Sequence, residues 1–249
     1  MDENKEIIET KENEENNVET VSEAVSEENT AEKNDSEKKK GNLLKDFIEI
    51  FESTLTTVFV IVMIFTYILH PVNIVGESMV PTLNQNLTSE REAKGDNDKV
   101  FMNTVFFDVK YGDILVIDKD KNYLLDENGE VIEPVYDHAL NQCIIKRVIA
   151  VGGQTIDIRD NQVIVDGKVI DEPYIAPNST TDDNGAFGEQ YPITIPEGYY
   201  FVMGDNRNNS TDSRARSVGL VKKNQIYGKA IIKYSPLEEF DILIGSHKG

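Results

Sequence analysis

Between Ser53 and Gly76 the chain carries no formally charged residue. The centre of that stretch, Thr54 to Leu69, reads TLTTVFVIVMIFTYIL. A bilayer span takes about 20 mostly apolar residues, and Phe51–Leu69 meets that length with a single acid, Glu52, near its end. A helix resting on a protein core keeps a polar face for water, and this segment offers none. It is therefore read as a transmembrane anchor over residues 43–70, with Leu43, Leu44, Phe47, Ile48, Ile50 and Phe51 as an amphipathic lead-in.

The flanks orient it. Lys38, Lys39, Lys40 and Lys45 precede the span, and no Lys or Arg follows until Arg91. The positive-inside rule then places the N-terminus in the cytoplasm and the rest of the chain outside. Residues 1–40 hold 14 acids and 6 bases, with no Pro and no aromatic residue. Such a segment buries too little apolar surface to offset chain entropy, so residues 1–42 are expected to be a disordered acidic tail. That tail is too long and too acidic for a cleaved signal peptide, and no small-x-small pattern follows the span. The anchor is thus expected to stay on the chain.

Composition excludes several classes of function. A net charge of −20 and an isoelectric point near 4.5 leave no basic face for phosphates, so nucleic acid is not an expected partner. One Cys and three His support neither a disulfide framework nor a Cys-cluster or His-rich metal site. No metal or cofactor is expected.

Residues 71–249 read as an all-β domain. Apolar, β-branched runs recur at Ile114–Ile117, Ile144–Val151, Thr155–Ile158, Gln162–Val165, Tyr199–Met203 and Ala230–Tyr234. Asp166-Gly167 between two such runs predicts a two-residue hairpin turn, and Asn128-Gly129 predicts a second. Asn84–Asp98 and Pro177–Glu189 are polar, turn-rich loops.

Three segments carry possible chemistry. Gly76-Glu77-Ser78-Met79-Val80-Pro81-Thr82-Leu83 follows the span directly. A Gly next to such a turn exposes a hydroxyl and aims amide N–H groups at one point, as an oxyanion site requires; a loop Ser is equally at home in a plain turn. The histidines are poorly placed as bases: His70 abuts the span, His138 lies in a polar loop and His247 in the C-terminal tail. Cys143 reads as a small packed hydrophobe. Lys146 stands out. Period-2 alternation puts it on one strand face with Ile144, Val148 and Ala150. Burial there would lower its pKa and free an amine to take a proton. The alternative is a lysine that reaches out to water, with Ile145, Arg147 and Ile149 forming the core face. The third segment, Gly204 to Arg214, reads GDNRNNSTDSR, which suits either a solvated turn or a paired polar network.

Together these segments resemble bacterial type I signal peptidases, membrane-anchored proteases of the Ser–Lys class. The resemblance rests on Ser78-Met79-x-Pro81-Thr82-Leu83, on Tyr111-Gly112-Asp113-Ile114-Leu115-Val116-Ile117, on Lys146 to Gly153, and on Gly204-Asp205-Asn206-Arg207 with Ser210, Asp212, Ser213 and Arg214. These four boxes occur in the family's order, after an anchor of the expected topology.

The resemblance implies a catalytic domain of antiparallel β-sheets that removes signal peptides from exported precursors. It implies that Ser78 attacks the scissile carbonyl, that Lys146 is the general base, and that the Ser78 N–H serves the oxyanion. Ser210 would hydrogen-bond and orient the Lys146 amine. Asp205 with Arg147, and Asp212 with Arg214, would be supporting ion pairs. Met79 would lie on the apolar surface facing membrane and substrate. Many relatives have Ser or Thr two residues before the nucleophile; Gly76 stands there, which leaves the second oxyanion donor open. Val72, Ile74, Leu83, Ile144 and Ile145 would line shallow apolar pockets for an extended peptide with small residues, the Ala-x-Ala pattern. The implied partners are precursor proteins and the lipid bilayer. Lys at position 146 fits the bacterial type, since the endoplasmic-reticulum type uses His.

Other readings are a catalytically silent, membrane-anchored relative that binds peptides, and a Ser–Lys autoprotease regulator. The latter requires a DNA-binding domain where this chain has a tail and a span. A sortase would need a catalytic Cys with His and Arg partners, a setting Cys143 lacks.

Overall fold

The computed structural model describes residues 42, 44–105, 107–132, 135–136, 143–176 and 178–243. The expected acidic tail, Asn42 apart, lies outside the described residues, as do Lys38–Lys40, His138 and His247. The chain divides into two units, one ending at Val62 and the other beginning at Met63.

Helix α1, Leu44–Tyr67, has 24 residues and is long and apolar enough to cross a membrane. At about 1.5 Å per residue it exceeds a hydrocarbon core about 30 Å thick. Leu55, Phe59, Ile61 and Phe65 are exposed along it. Its threonines are internally satisfied: Thr54, Thr56 and Thr57 hydroxyls donate to the carbonyls of Ile50, Glu52 and Ser53, four residues back. That pairing removes the cost of bare hydroxyls in hydrocarbon.

The second unit is built of short strands. They are β1 (Leu69–Asn73), β2 (Lys99–Asn103), β3 (Ile114–Asp118), β4 (Lys121–Asn122), β5 (Val135–Tyr136), β6 (Cys143–Val151) and β7 (Thr155–Arg159). Then come β8 (Gln162–Val165), β9 (Lys168–Val169), β10 (Ile193–Thr194), β11 (Tyr199–Met203), β12 (Val221–Lys222), β13 (Ile226–Ser235) and β14 (Asp241–Ile242). Val and Ile dominate β3, β6 and β8, where branched side chains pack well on a pleated surface.

Among the described residues, the largest sheet runs β1-β2-β13-β3-β6-β11-β12, with β14 also paired to β13. A second sheet runs β10-β7-β8-β9, and β4 pairs β5. Every strand pair is antiparallel. The fold is thus mainly β, as expected. Strand β13 leaves β2 and joins β3 through register shifts, which bend the sheet.

Two hairpins use two-residue turns with both central φ angles positive, the geometry that matches strand twist. One is Asp166-Gly167, as predicted, and the other is Asp160-Asn161. Asn128-Gly129 does not make such a turn. It sits inside a five-residue loop between Leu125 and Val131, organised by Asp126, whose Oδ1 accepts the N–H groups of Asn128 and Glu130.

Strand β6 departs from simple alternation. Ile145 through Ala150 are all buried, Arg147 as fully as Val148. Both faces of this strand are covered, so period-2 reasoning could not tell its core side. Lys146 is nonetheless buried, and the water-reaching alternative does not occur.

Candidate active site

Strand β1 runs out of the span into a loop that carries Ser78, while β6 carries Lys146 beside β3. The Lys146 side chain is 3% exposed, and its Nζ lies 2.7 Å from Ser78 Oγ and 2.7 Å from the Ile145 carbonyl oxygen. As an ammonium, Nζ donates to Oγ; as a free amine, it accepts the Oγ–H. Burial pushes the Lys146 pKa down to about 8, against the raising pull of the Asp212 and Asp205 carboxylates. A lysine in this range holds a useful neutral fraction near neutral pH. Among the described residues no acceptor takes the Ser78 N–H, which leaves it free for an oxyanion.

The Ser78 loop is held by the segment after β11. Asn206 N–H donates to Ser78 O at 3.0 Å and its Nδ2 to Glu77 O at 3.1 Å. Gly204 packs against the Ser78 carbonyl and the Ser210 side chain. Thr82 Oγ1 donates to Asp205 Oδ2 at 2.5 Å. The GDNRNNSTDSR segment is therefore a paired network rather than a solvated turn.

Both expected ion pairs form. Arg147 Nε and Nη2 donate to Asp205 Oδ1 and Oδ2 at 2.7 and 2.6 Å. Arg214 Nε and Nη2 donate to Asp212 Oδ1 and Oδ2 at 2.8 and 2.9 Å. A third pair had no signal in the sequence: Arg207 binds both Glu172 oxygens, 35 residues away. Tyr174 lies under the Arg147 guanidinium, 4.2 Å from ring centroid to Cζ, and donates its hydroxyl to Glu172. Buried pairs of this kind offset much of their attraction against desolvation, so their main effect is to fix geometry.

Three expectations change. Ser210 Oγ is buried and makes no hydrogen bond, so it does not hold the Lys146 amine; Lys146 turns to the Ile145 carbonyl instead. Met79 is 1% exposed and Leu83 is wholly buried, so neither lies on an outer surface or lines the cleft. The Leu83 N–H donates to Met79 O, closing a turn that drives both side chains into a core cluster with Ile74, Val116 and Ile145. Cys143 is exposed at the cleft rim rather than packed.

The cleft, about 180 Å³, is walled by Val72–Val75 on one side and Cys143–Lys146 on the other, with Ser78 and Val116 between. Val72, Ile74, Ile144 and Ile145 take the expected lining places. Asn73, Val75, Val116 and Cys143 were missed, because the pairing that brings two distant segments to one cleft has no local sequence signal. Gly76 has φ +84° and open space around it, so it serves the turn by its backbone. No groups of His, Cys, Asp or Glu fit to hold a metal occur among the described residues.

Residues 47–235 match the family described as signal peptidase, peptidase S26. Signal peptidase I of Bacillus amyloliquefaciens is 32% identical over 216 residues, covering 82% of this chain and 96% of that protein. Signal peptidase I S of Bacillus subtilis (strain 168) is 31% identical over 211 residues, 78% and 92% of the two chains. Signal peptidase IB of Staphylococcus aureus (strain COL) is 30% identical over 207 residues, 79% and 93%. A crystal structure of a signal peptidase I from Enterococcus faecalis V583 is 26% identical, covers 50% of this chain and 98% of that one, and gives a TM-score of 0.37. With a family match spanning most of the chain, relatives aligned nearly end to end, and an anchor helix leading into a β-sheet unit, this chain belongs to the signal peptidase, peptidase S26 family.

Proposed function

We propose that Ser78 and Lys146 are the catalytic dyad of this chain, a type I signal peptidase and serine endopeptidase that removes signal peptides from precursor proteins. The observation that carries the dyad is the 2.7 Å contact between Ser78 Oγ and the buried Lys146 Nζ at the end of a cleft.

The chemistry follows from that contact. Neutral Lys146 takes the Ser78 hydroxyl proton as Oγ attacks the scissile carbonyl. The Ser78 N–H steadies the oxyanion. Lys146 then passes the proton to the leaving amine, and the acyl group stays on Ser78. A water, deprotonated by Lys146, attacks the ester, and the returning proton regenerates Ser78. Asp205–Arg147 and Asp212–Arg214 hold the two loops that bring nucleophile and base together.

The substrate reading rests on strand edges. The Ile74 N–H and C=O both point inward, to the Asp98 carbonyl and the Asn84 amide. Strand alternation then turns the Asn73 and Val75 backbone groups to the free edge, where an extended peptide can add. The short depth between Ile74 and Ile145 favours small side chains next to the cut. A precursor with Ala at the first and third positions before the bond should be cut once, at that bond, as read by mass spectrometry. Replacing either Ala with Phe should lower the rate by at least about tenfold, in line with steric exclusion from a pocket. Equal rates would sink the pocket assignment.

The anchor is proposed to cross the bilayer once, with the N-terminus inside, on the strength of the lysines before it. Protease added to intact cells should digest the β-sheet unit and spare an N-terminal tag. Loss of the tag would overturn this orientation.

A further inference from the structure

Asn84 follows the Pro81-Thr82-Leu83 turn and is 2% exposed. Its backbone adopts φ +60°, a left-handed conformation that Asn tolerates better than most residues. Every polar atom of its side chain is used. Nδ2 donates to Ile74 O at 3.0 Å and to Gly76 O at 2.9 Å. Oδ1 accepts the Asp98 N–H at 2.8 Å, and Asp98 Oδ2 accepts the Asn84 N–H at 2.7 Å. The Asp98 carbonyl accepts the Ile74 N–H at 2.9 Å, and Lys233 Nζ lies 3.5 Å from Asp98 Oδ2.

These bonds fall on both ends of the segment that carries Ser78. A carbonyl fixed at Gly76 fixes the plane of the Gly76–Glu77 peptide, one residue before the nucleophile. On the other side Asn206 fixes the carbonyls of Glu77 and Ser78. The nucleophile is thus gripped from two loops that are distant in sequence. The reciprocal Asn84–Asp98 bonds also pinch residues 85–97 into a closed loop. Helix α2, Ser89–Ala93, lies within it, N-capped by the Thr88 side chain, which accepts the Arg91 N–H.

We infer that Asn84 is a positioning residue: with Asp98 it forms a neck that sets the Ile74 and Gly76 carbonyls and so the aim of Ser78, while the loop 85–97 beyond the neck takes no part. The inference rests on Ser78 being the nucleophile.

The test uses the full chain in detergent, with precursor-peptide cleavage measured across pH for wild type, Asn84→Gly, Ser78→Ala, and a chain with residues 85–97 replaced by a short Gly-Ser linker. Gly accepts φ +60° without strain, so Asn84→Gly removes the amide alone. It should lower kcat at least tenfold while the midpoint of the rising pH limb stays where Lys146 sets it. The shortened chain, keeping Asn84 and Asp98, should hold kcat within twofold of wild type; it decides the matter if Asn84→Gly does not fold. Asn84→Gly within twofold of wild type, with Ser78→Ala inactive, overturns the role of Asn84 and leaves the dyad standing. A midpoint moved toward that of a solvated lysine overturns it as well, because it signals general loosening around Lys146. A tenfold loss in the shortened chain overturns the neck. Full activity in Ser78→Ala overturns the dyad and this inference together.

Discussion

Ser78→Ala and Lys146→Ala should each lower precursor cleavage by at least about 10³-fold, and the double variant should lose little more, since nucleophile and base act as one unit. Only the neutral amine at Lys146 can accept the Ser78 proton. With a pKa pushed down to about 8, the rate should rise tenfold per pH unit through the acid range and level off above pH 8. At pH 6 it should stand about 100-fold below its plateau. A rate flat from pH 6 to 10 would refute Lys146 as the base.

The same burial has a consequence for stability. An unfolded chain holds the Lys146 proton up to about pH 10.4, whereas the folded chain releases it near 8. Below pH 8 both states are protonated, and the folded state bears the full cost of a buried ammonium. Between about 8 and 10.4 the unfolded state binds the extra proton, so this group's contribution to stability improves as pH rises. Lys146→Met should therefore raise the melting temperature at pH 7 while abolishing cleavage. The gain is on the order of 3 kcal/mol at most, reduced because the Ile145 carbonyl loses its donor. A variant less stable than wild type at pH 7 would contradict the desolvation argument. A wild-type chain that binds precursor without cutting it at any pH would favour the silent peptide-binding alternative.

Gly204→Ala should be nearly as damaging, for a steric reason. A Cβ at position 204 would stand 2.6 Å from Ser210 Cβ and closer still to Ser210 Oγ and the Ser78 carbonyl oxygen. Ser78 O also accepts the Asn206 N–H, so the nucleophile's own backbone must yield. A displacement near 1 Å at a reacting group costs about 100-fold, and kcat for Gly204→Ala should fall by about that much. Gly76→Ala is the contrast. There the left-handed backbone is strained by about 1–2 kcal/mol, yet nothing stands in the way of the added methyl. Kinetics and thermal melts on both variants separate the cases. Wild-type kcat in Gly204→Ala would show that the loop after β11 does not press on the nucleophile.

Much of the fold is legible because its signals are local. The charge-free run over Ser53–Gly76 marks α1, and Val- and Ile-rich runs mark β3, β6, β7, β8 and β11. Strand β1 is hidden, since its apolar residues continue those of the helix with no break in composition. Strand β2 had a usable signal: Val100 and Met102 alternate inward from Lys99, Phe101 and Asn103. Cys143 was misjudged because residue type says little about exposure at a strand end.

The site divides along the same line. Ser78, Lys146, Asp205, Arg147, Asp212 and Arg214 are recognisable from residue type and order, since each lies in a compact motif. The pairs Arg207–Glu172 and Asn84–Asp98 join segments with no common motif. Ser210 shows the limit from the other direction: the motif places it near the base, but the Lys146 rotamer leaves its hydroxyl unbonded.

From sequence alone came the anchor, the β character of residues 71–249, the family and the identities of nucleophile and base. Each rests on period, composition or motif, which are properties of neighbouring residues. Tertiary structure alone decided that Lys146 is buried on a strand covered on both faces, that Met79 and Leu83 turn into the core, and that Asn84 grips the nucleophile segment. A lysine becomes a base only when distant segments close over it and strip its water, and that closure is a property of packing that no local pattern records.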